Sequence, residues 1–231
     1  MENKGFDNTS CDALSGPPLV LFDMDGTLLD TRNDIGRAAN KAREELGLPI
    51  LTVEDVVAAV GDGVNLFVSR VTYPENHPRF EAAKEIFLRH YAKNVTGDTK
   101  PYDGITEMLD SFKSLKIPMA IVSNKPEKLV NDLVQYFSWQ KYFTCWLGGD
   151  SAEKSKPARE PLLMALHKSG FSAGYPLVMI GDGHQDILAA KSMGCRAIWV
   201  SWGFNASPTA QYPSQRCDHP RDLLPLLLDS Q

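Results

Sequence analysis

Apolar residues follow two different patterns along the chain, and the change between them divides it. Residues 19–22, Leu-Val-Leu-Phe, form a continuous apolar run that stops at Asp23. Such a run, bounded by a turn signal, is typical of a strand buried on both faces. From residue 31 to about residue 95, apolar residues instead recur at helical spacing, with breaks at glycine and proline. The first helix of this block is expected to begin in a capping box of Thr31 and Asp34.

Strand and helix patterns alternate after Lys100-Pro101. Apolar runs predict strands over residues 117–122, 143–147, 177–180 and 197–200, with helical segments after each. Alternation of this kind is typical of a parallel sheet with helices on both faces. The predicted fold class is therefore α/β, with a Rossmann-like parallel sheet core and a helical insertion between its first two long strands.

The same patterns predict three parts in the chain. Residues 1–16 show no apolar period and are expected to be a disordered lead-in. Residues 17–30 and 97–231 are expected to form the α/β core domain, and residues 31–96 a small helical domain of their own. The two connections between these domains, near Asp30-Thr31 and at residues 96–101, are expected to act as hinges.

Composition and charge exclude several classes of function. The net charge is −5 and no basic cluster offsets it, which argues against nucleic-acid binding. No apolar run is long enough to span a membrane, and the N-terminus lacks the apolar core of a signal peptide. The four cysteines are scattered without a CxxC pair, as expected of reduced thiols rather than a disulfide framework. We therefore expect a cytoplasmic protein, either a monomer or a homodimer.

Polar residues follow the predicted strands at the point where each strand ends. They are Asp23 and Asp25 after the first strand, Ser123, Asn124 and Lys125 after the second, Lys156 in the loop after the third, and Asp182 and Asp186 after the fourth. Each motif alone has an ordinary alternative, such as a turn, a helix cap or a solvated loop. Because the carboxyl ends of parallel strands meet at one edge, their common placement predicts a single site.

Carboxylates that lie close together repel one another, so a cation is expected among them. Asp182 and Asp186 are one helical turn apart and can face the same point. Oxygen ligands without sulfur or imidazole favour a hard cation, and Mg²⁺ suits one or two carboxylates with waters. The sequence thus predicts a magnesium and phosphate site at this edge.

Four segments resemble the motifs of the haloacid dehalogenase superfamily of phosphatases, in the order that the superfamily shows. They are DMDGTLLD, IVSNKP, Lys156-Pro157 and IGDGHQD, and the resemblance extends from Leu19 to about Gly203. It implies that residues 31–96 are the helical cap domain of that superfamily. The segments VGDGVNLFVSRV, PYDGI, SNKPE, LGGD and VSWGF are similar to its phosphoglycolate phosphatase branch.

The resemblance implies a role for each matching residue. Asp23 would be the nucleophile, Asp25 the general acid and base, and Lys156 the cation that neutralises nucleophile and phosphate. Ser123, Lys156 and backbone N–H groups near Asp25 and Asn124 would bind the phosphate. Mg²⁺ would be held by Asp23, Asp182 and the backbone carbonyl of Asp25, with Asp186 supporting it directly or indirectly.

The implied function is Mg²⁺-dependent hydrolysis of a small phosphomonoester through an aspartyl-phosphate, with 2-phosphoglycolate as the best single substrate. Asp25 favours phosphate esters over dehalogenation, and Thr27 favours hydrolysis over a phosphomutase reaction. Pyrophosphate, a sugar phosphate or a nucleotide stays open as the substrate, and so does the phosphomutase reaction. A non-catalytic regulatory protein is a further alternative, although the chain keeps all four motif residues that such a protein would lose.

The cap domain is expected to select the substrate. Phosphoglycolate carries a carboxylate beyond its phosphate, so a cation from the cap is expected to face it. Arg70, on the helix after the Gly61-Asp62-Gly63 loop, is the first candidate, and Arg32 and Arg37 are others. Each of the three is equally consistent with an ordinary surface arginine.

Overall fold

A sheet of six parallel strands forms the centre of the protein, as the sequence pattern predicted. The structure is a computed structural model that describes residues 16–204 and 215–228. The predicted disordered lead-in, except Gly16, lies outside the described residues. In chain order the strands are β1 (Leu19–Phe22), β2 (Leu29–Asp30), β3 (Lys100–Pro101), β4 (Met119–Val122), β5 (Cys145–Leu147), β6 (Leu177–Gly181), β7 (Arg196–Val200) and β8 (Gln215–Cys217).

Strand β1 occupies the middle of the sheet, whose order is β5-β4-β1-β6-β7-β8. It pairs in parallel with β4 on one side and β6 on the other. After β1 the chain adds β4 and β5 on one side of the sheet, and it then crosses over to add β6, β7 and β8 on the other side. The strand order therefore reverses direction at the carboxyl end of β1. Open parallel sheets bind their ligands at such a point.

The helices divide into two groups. Those between β2 and β3 are α1 (Arg32–Leu46), α2 (Val53–Val57), α3 (Val64–Val71) and α4 (Phe80–Lys93). Those after β3 are α5 (Ile105–Ser114), α6 (Glu127–Tyr136), α7 (Glu160–Lys168), α8 (His184–Met193) and α9 (Leu223–Leu228). Among the residues that the structure describes, no helix is long and apolar enough to cross a membrane.

Both faces of β1 are buried, which explains its uninterrupted apolar sequence. Val20 and Phe22 pack into a hydrophobic cluster that also includes the helices between β2 and β3. Leu19 and Leu21 pack into a second cluster, which α7 and α8 complete on the opposite face. The last residue of β1 is therefore fixed from both sides, and so is the start of the loop that carries Asp23.

Two short strands form the connection between the helical group and the sheet. Strands β2 and β3 pair antiparallel, so the outgoing and returning chain segments run side by side. Next to this pair, the buried Asp34 carboxylate accepts hydrogen bonds from Asp98 N, Thr99 N and Thr99 Oγ1 at 2.8–3.1 Å. The capping box predicted for Thr31 and Asp34 is therefore wrong. The Thr31 side chain makes no cap bond, and Asp34 binds the returning segment instead.

Replacement of Asp34 by alanine is expected to destabilise the protein. The change leaves the N–H groups of Asp98 and Thr99 and the Thr99 hydroxyl without their acceptor in a largely buried place, which should lower the free energy of unfolding by about 2–4 kcal/mol. The measurement is urea denaturation followed by circular dichroism. Asp98→Ala is the matched control, because it removes an exposed carboxylate paired with Arg37 and should cost less than about 1 kcal/mol. Equal losses in the two variants would contradict the role of Asp34.

Candidate active site

The polar residues at the strand ends converge beside the carboxyl end of β1. Lys156, from the loop after β5, is buried there, and its Nζ lies 2.9 Å from Asp23 Oδ1 and 2.6 Å from Asp186 Oδ1. It also donates a hydrogen bond of 2.5 Å to the carbonyl of Val122, the last residue of β4. Burial lowers the pKa of Lys156, but attraction to Asp186 and Asp23 raises it by more, so the ammonium group stays charged.

Three carboxylates form a cluster around this lysine. Asp23, Asp182 and Asp186 each offer an oxygen, and these oxygens lie within 4.8 Å of one another. Burial raises the pKa of Asp186 to about 7; Lys156 opposes this rise, and repulsion from Asp23 and Asp182 adds to it. With all three acids ionised, the cluster has more negative charge than Lys156 compensates.

The donor set of this cluster fits a hard divalent cation. Within the described part of the chain, Asp23 Oδ1 is a buried oxygen that accepts no hydrogen bond, because its contact with Lys156 has the distance of an ion pair but not hydrogen-bond geometry. Asp23, Asp25, Asp182 and Asp186 together with Lys125 and Lys156 are four carboxylates and two ammonium groups, which leaves a formal charge of −2. Carboxylate oxygens and this charge match a hard divalent cation.

Asp182 is held in place by the turn that follows β1. Thr27 Oγ1 donates to Asp182 Oδ1 at 3.2 Å and accepts from Asp182 N at 3.1 Å. Phe204 N donates to the other carboxylate oxygen at 2.8 Å. Gly26 has a φ of +81°, and a Cβ there would lie 2.5 Å from Asp182 Oδ2. Only glycine allows the turn after Asp25 to approach this carboxylate so closely.

Asp25 faces the same cavity from a different network. Thr31 Oγ1 donates to Asp25 Oδ1 at 2.8 Å, and Lys125 Nζ lies 2.9 and 3.0 Å from its two oxygens. Lys125 also donates to the hydroxyl of Tyr91, which belongs to α4. Asp25 is thus bound by Thr31, which follows β2, and by Lys125, from the loop after β4. Through Lys125 it is also linked to Tyr91 of α4.

Ser123 and Asn124 lie beside these lysines, but their side chains have different surroundings. Ser123 lines the cavity, and its Oγ accepts a long hydrogen bond of 3.3 Å from Lys125 N. The Asn124 amide binds the backbone of Lys156 through both of its atoms and donates to the carbonyl of Gly61 at 2.9 Å. Its side chain therefore holds two loops together.

The cavity above these residues encloses about 680 Å³, its open mouth included. Its floor consists of the carboxylates, the two lysines and Ser123. Its walls are mostly apolar and come from α1, α3, α4, α6 and the segments at 60–64 and 204: Ile35, Val60, Val64, Phe67, Phe87, Leu129 and Phe204. The arrangement places mostly apolar walls over a charged floor.

The Gly61-Asp62-Gly63 loop closes this cover against the core. Asp62 accepts a hydrogen bond of 2.5 Å from Gln185 Nε2, and Gln185 is a buried residue of the first turn of α8. Gly61 has a φ of +124°, and a Cβ there would lie 2.8 Å from Gln185 Nε2. Close approach of the loop to α8 therefore requires glycine.

None of the three arginines that the sequence nominated lines the cavity. Arg70 pairs with Asp62 at 2.6 Å and donates to the Ala59 carbonyl, on the outer side of the loop. Arg37 pairs with Asp34 at 2.6 Å. Arg32 pairs with Asp30 at 2.8 Å and lies over the ring of Phe204.

Tyr91, Gln185 and Phe204 line the cavity but were not named as site residues from the sequence. Tyr91 has the spacing of an ordinary core residue of an amphipathic helix, so its hydroxyl gave no signal. Gln185 stands inside IGDGHQD between two nominated acids, and that position was a usable signal. Phe204 is the last residue of VSWGF, a segment that the resemblance included without a role for its phenylalanine.

Comparison with known proteins agrees with this geometry. Residues 20–200 match the family model for haloacid dehalogenase-like hydrolases. The phosphoglycolate phosphatase of Chromobacterium violaceum is 34% identical over 195 residues, which cover 82% of this chain and 87% of that protein. The phosphoglycolate phosphatase of Aquifex aeolicus is 32% identical, with 90% and 96% covered.

A solved structure shows the same architecture. The crystal structure of a predicted phosphoglycolate phosphatase from Haemophilus somnus superimposes with a TM-score of 0.83 at 28% identity, covering 90% of this chain and 97% of that one. The resemblance inferred from the four motifs is confirmed. The chain belongs to the haloacid dehalogenase-like hydrolase family.

Proposed function

We propose that the protein is a Mg²⁺-dependent phosphomonoesterase that works through an aspartyl-phosphate on Asp23. The observation that carries the proposal is the pairing of two unlike carboxylates on one loop. Asp23 lies on the charged floor against Lys156, and Asp25 lies two residues away in a hydrogen-bonded network with Lys125 and Thr31. One carboxylate is thereby placed to attack and the other to exchange protons.

In the first step, a carboxylate oxygen of Asp23 attacks the phosphorus atom of the ester. The bond between phosphorus and the ester oxygen breaks, and that oxygen takes the proton of the Asp25 carboxylic acid and leaves as an alcohol. Lys156 offsets the repulsion between the Asp23 carboxylate and the phosphate dianion. Charge compensation of this kind supplies most of what phosphoryl transfer requires.

In the second step, the oxygen of a water molecule attacks the phosphorus of the aspartyl-phosphate. The ionised Asp25 takes a proton from this water as it attacks. The bond to Asp23 breaks, which regenerates its carboxylate and releases inorganic phosphate. Asp25 is protonated again and ready for the next ester. Ser123 and the backbone N–H of Asn124 are proposed to bind the phosphate oxygens in both steps.

The metal is proposed to be held by Asp23, Asp182 and the backbone carbonyl of Asp25. When bound, Mg²⁺ would neutralise the excess charge of the acid cluster and polarise the phosphate. The contact with Lys156 and the hydrogen bond from Gly183 N are proposed to make Asp186 a support of the site. This donor set consists of oxygen atoms alone, as a hard cation requires.

Residues 31–96 are proposed to be the cap domain on the core domain of residues 17–30 and 97–231. Helices α1, α3 and α4 supply most of the apolar wall over the charged floor, and the Gly61 loop binds α8. A closed cap excludes water, and the low dielectric then strengthens every interaction with the phosphate. The connection made by β2 and β3 is proposed to be the hinge.

The substrate is proposed to be 2-phosphoglycolate, which the protein would convert to glycolate and phosphate. Support comes from the names of the similar proteins and from a small cavity with a charged floor. Among the described residues that line the cavity, Lys125 and Lys156 are the only lysines or arginines, and both already pair with carboxylates of the site. Arg70 would influence selection only through Asp62, and Arg32 only through the ring of Phe204, which lines the cavity. No such route is seen for Arg37 among the described residues.

Replacement of Asp23 by asparagine is expected to lower kcat for p-nitrophenyl phosphate by a factor on the order of 10⁴ or more, because the nucleophile is lost. The measurement is steady-state turnover with Mg²⁺. The matched control is Asp132→Asn on the surface of α6, which makes the same charge change beside Lys128 and should leave turnover unchanged. Unchanged turnover in Asp23→Asn would show that the proposed mechanism is wrong.

Removal of divalent cations is expected to abolish activity, because the acid cluster then keeps its excess negative charge against the phosphate. Dialysis against EDTA should stop turnover and added Mg²⁺ should restore it. Asp182→Asn should raise the Mg²⁺ concentration that gives half-maximal activity by about tenfold or more. Full activity of the chelated enzyme would exclude a metal-dependent reaction.

A panel of phosphorylated metabolites tests the substrate. We expect kcat/KM for 2-phosphoglycolate to exceed that for pyrophosphate, a sugar phosphate and a nucleotide by about tenfold or more, which is within the range that differential contacts supply. Release of inorganic phosphate distinguishes hydrolysis from a phosphomutase reaction, which would yield an isomeric sugar phosphate. Equal, modest rates on all compounds would remove 2-phosphoglycolate as the substrate.

A further inference from the structure

Asp25 has a fixed orientation in this structure, and the groups that fix it come from two parts of the fold. Thr31 Oγ1 donates to Asp25 Oδ1 at 2.8 Å from the start of α1. Lys125 Nζ donates to both carboxylate oxygens, at 2.9 and 3.0 Å. A carboxyl group that transfers a proton depends on such placement, because the transfer requires hydrogen-bond distance to the leaving oxygen.

The ammonium group of Lys125 is itself held by the cap. Two of its hydrogen bonds go to the oxygens of Asp25 and a third goes to the hydroxyl of Tyr91, so all three of its donors are used. Its Nζ also lies 4.5 Å from the centre of the Tyr91 ring. Both side chains are buried and line the cavity that contains Asp23.

Tyr91 brings this contact from α4 and has no counterpart in the four motifs. It packs against Phe87 of the same helix, with ring centres 5.5 Å apart, and is 2% exposed. Burial, together with the charges of Asp25 and Asp34, raises the pKa of Tyr91 well above its ordinary value, so the phenol stays neutral and accepts from Lys125. A chain of contacts thus runs from the cap through Lys125 to Asp25.

We propose that Tyr91 is a positioning residue that holds Lys125, and through it Asp25, in the orientation for proton transfer when the cap is closed. The inference rests on the proposed function, because Asp25 has a proton to transfer only if a phosphomonoester is cleaved here. The contact with the cap completes the network of Asp25. Opening of the cap removes the Tyr91 hydroxyl from Lys125 and leaves the acid less well placed while the site is exposed to water.

The test uses leaving groups that differ in their need for a proton. The glycolate alkoxide requires protonation as it leaves, phenolate requires it less, and p-nitrophenolate is stable as an anion. In Tyr91→Phe the ring keeps its packing against Phe87 and its cation–π contact with Lys125, and only the hydroxyl that accepts the Lys125 hydrogen bond is removed. We expect kcat/KM to fall about tenfold for 2-phosphoglycolate, less for phenyl phosphate, and less than about twofold for p-nitrophenyl phosphate.

A control variant separates this effect from the loss of any cap hydroxyl. Tyr73→Phe removes another cap hydroxyl, one that accepts a hydrogen bond from Arg79 on the surface, and should change none of the three values. Equal losses on the three esters in Tyr91→Phe, or no loss at all, would overturn the proposal.

A second variant keeps the proposal falsifiable if Tyr91→Phe does not fold. Lys125→Gln should show the same order of losses across the three esters, with larger factors, and equal factors would overturn the proposal. Asp23→Asn in the same assay distinguishes failure of the proposed function from failure of the role proposed for Tyr91. If it keeps its activity, the proposed function fails and this inference with it. If it is inactive and the tyrosine variant loses all esters equally, only the inference fails.

Discussion

Four carboxylates meet at one buried edge of the sheet, and the requirement to balance their charge governs the arrangement around them. Asp23 and Asp25 come from the end of β1, and Asp182 and Asp186 come from the end of β6 and the first turn of α8. Of the described cavity-lining residues, two lysines offset part of this charge, and a formal charge of −2 remains. This remaining negative charge suits the site to a divalent cation and a phosphate together. The cation offsets the charge of the carboxylates, and the phosphate can approach the carboxylates only when that charge is offset.

The fold provides this balance by dividing the carboxylates between the lysines. Lys156 contacts Asp23 and Asp186, whereas Lys125 contacts Asp25. Two acids that are equivalent in the sequence thereby have different surroundings. One lies in a cluster of carboxylates that fits a cation, and the other lies in a network of a lysine, a threonine and a tyrosine. Carboxylates in unlike surroundings are suited to different chemical tasks.

Much of this site could be predicted from the sequence, because parallel strands bring their carboxyl ends to one edge whatever the details of packing. Asp23, Ser123 and Asp182 could be placed together on that ground alone. The contacts of individual side chains could not be predicted in this way. Arg70 was expected to face the substrate, but the helical period does not fix how α3 is rotated on the core, and Arg70 pairs with Asp62 instead. Tyr91 had the spacing of a core residue, and β8 was missed because its sequence, Gln-Arg-Cys, lacks an apolar run.

The central claim is that the phosphate is transferred to Asp23, and the most direct test is to isolate that intermediate. The enzyme is mixed with a phosphomonoester and Mg²⁺, quenched in acid during turnover, and treated with borohydride, which reduces an aspartyl-phosphate to homoserine. Peptide mass spectrometry then locates the reduced residue. The account predicts homoserine at position 23 only when substrate was present. Turnover without homoserine at that position, or with the modification at another residue, would contradict it.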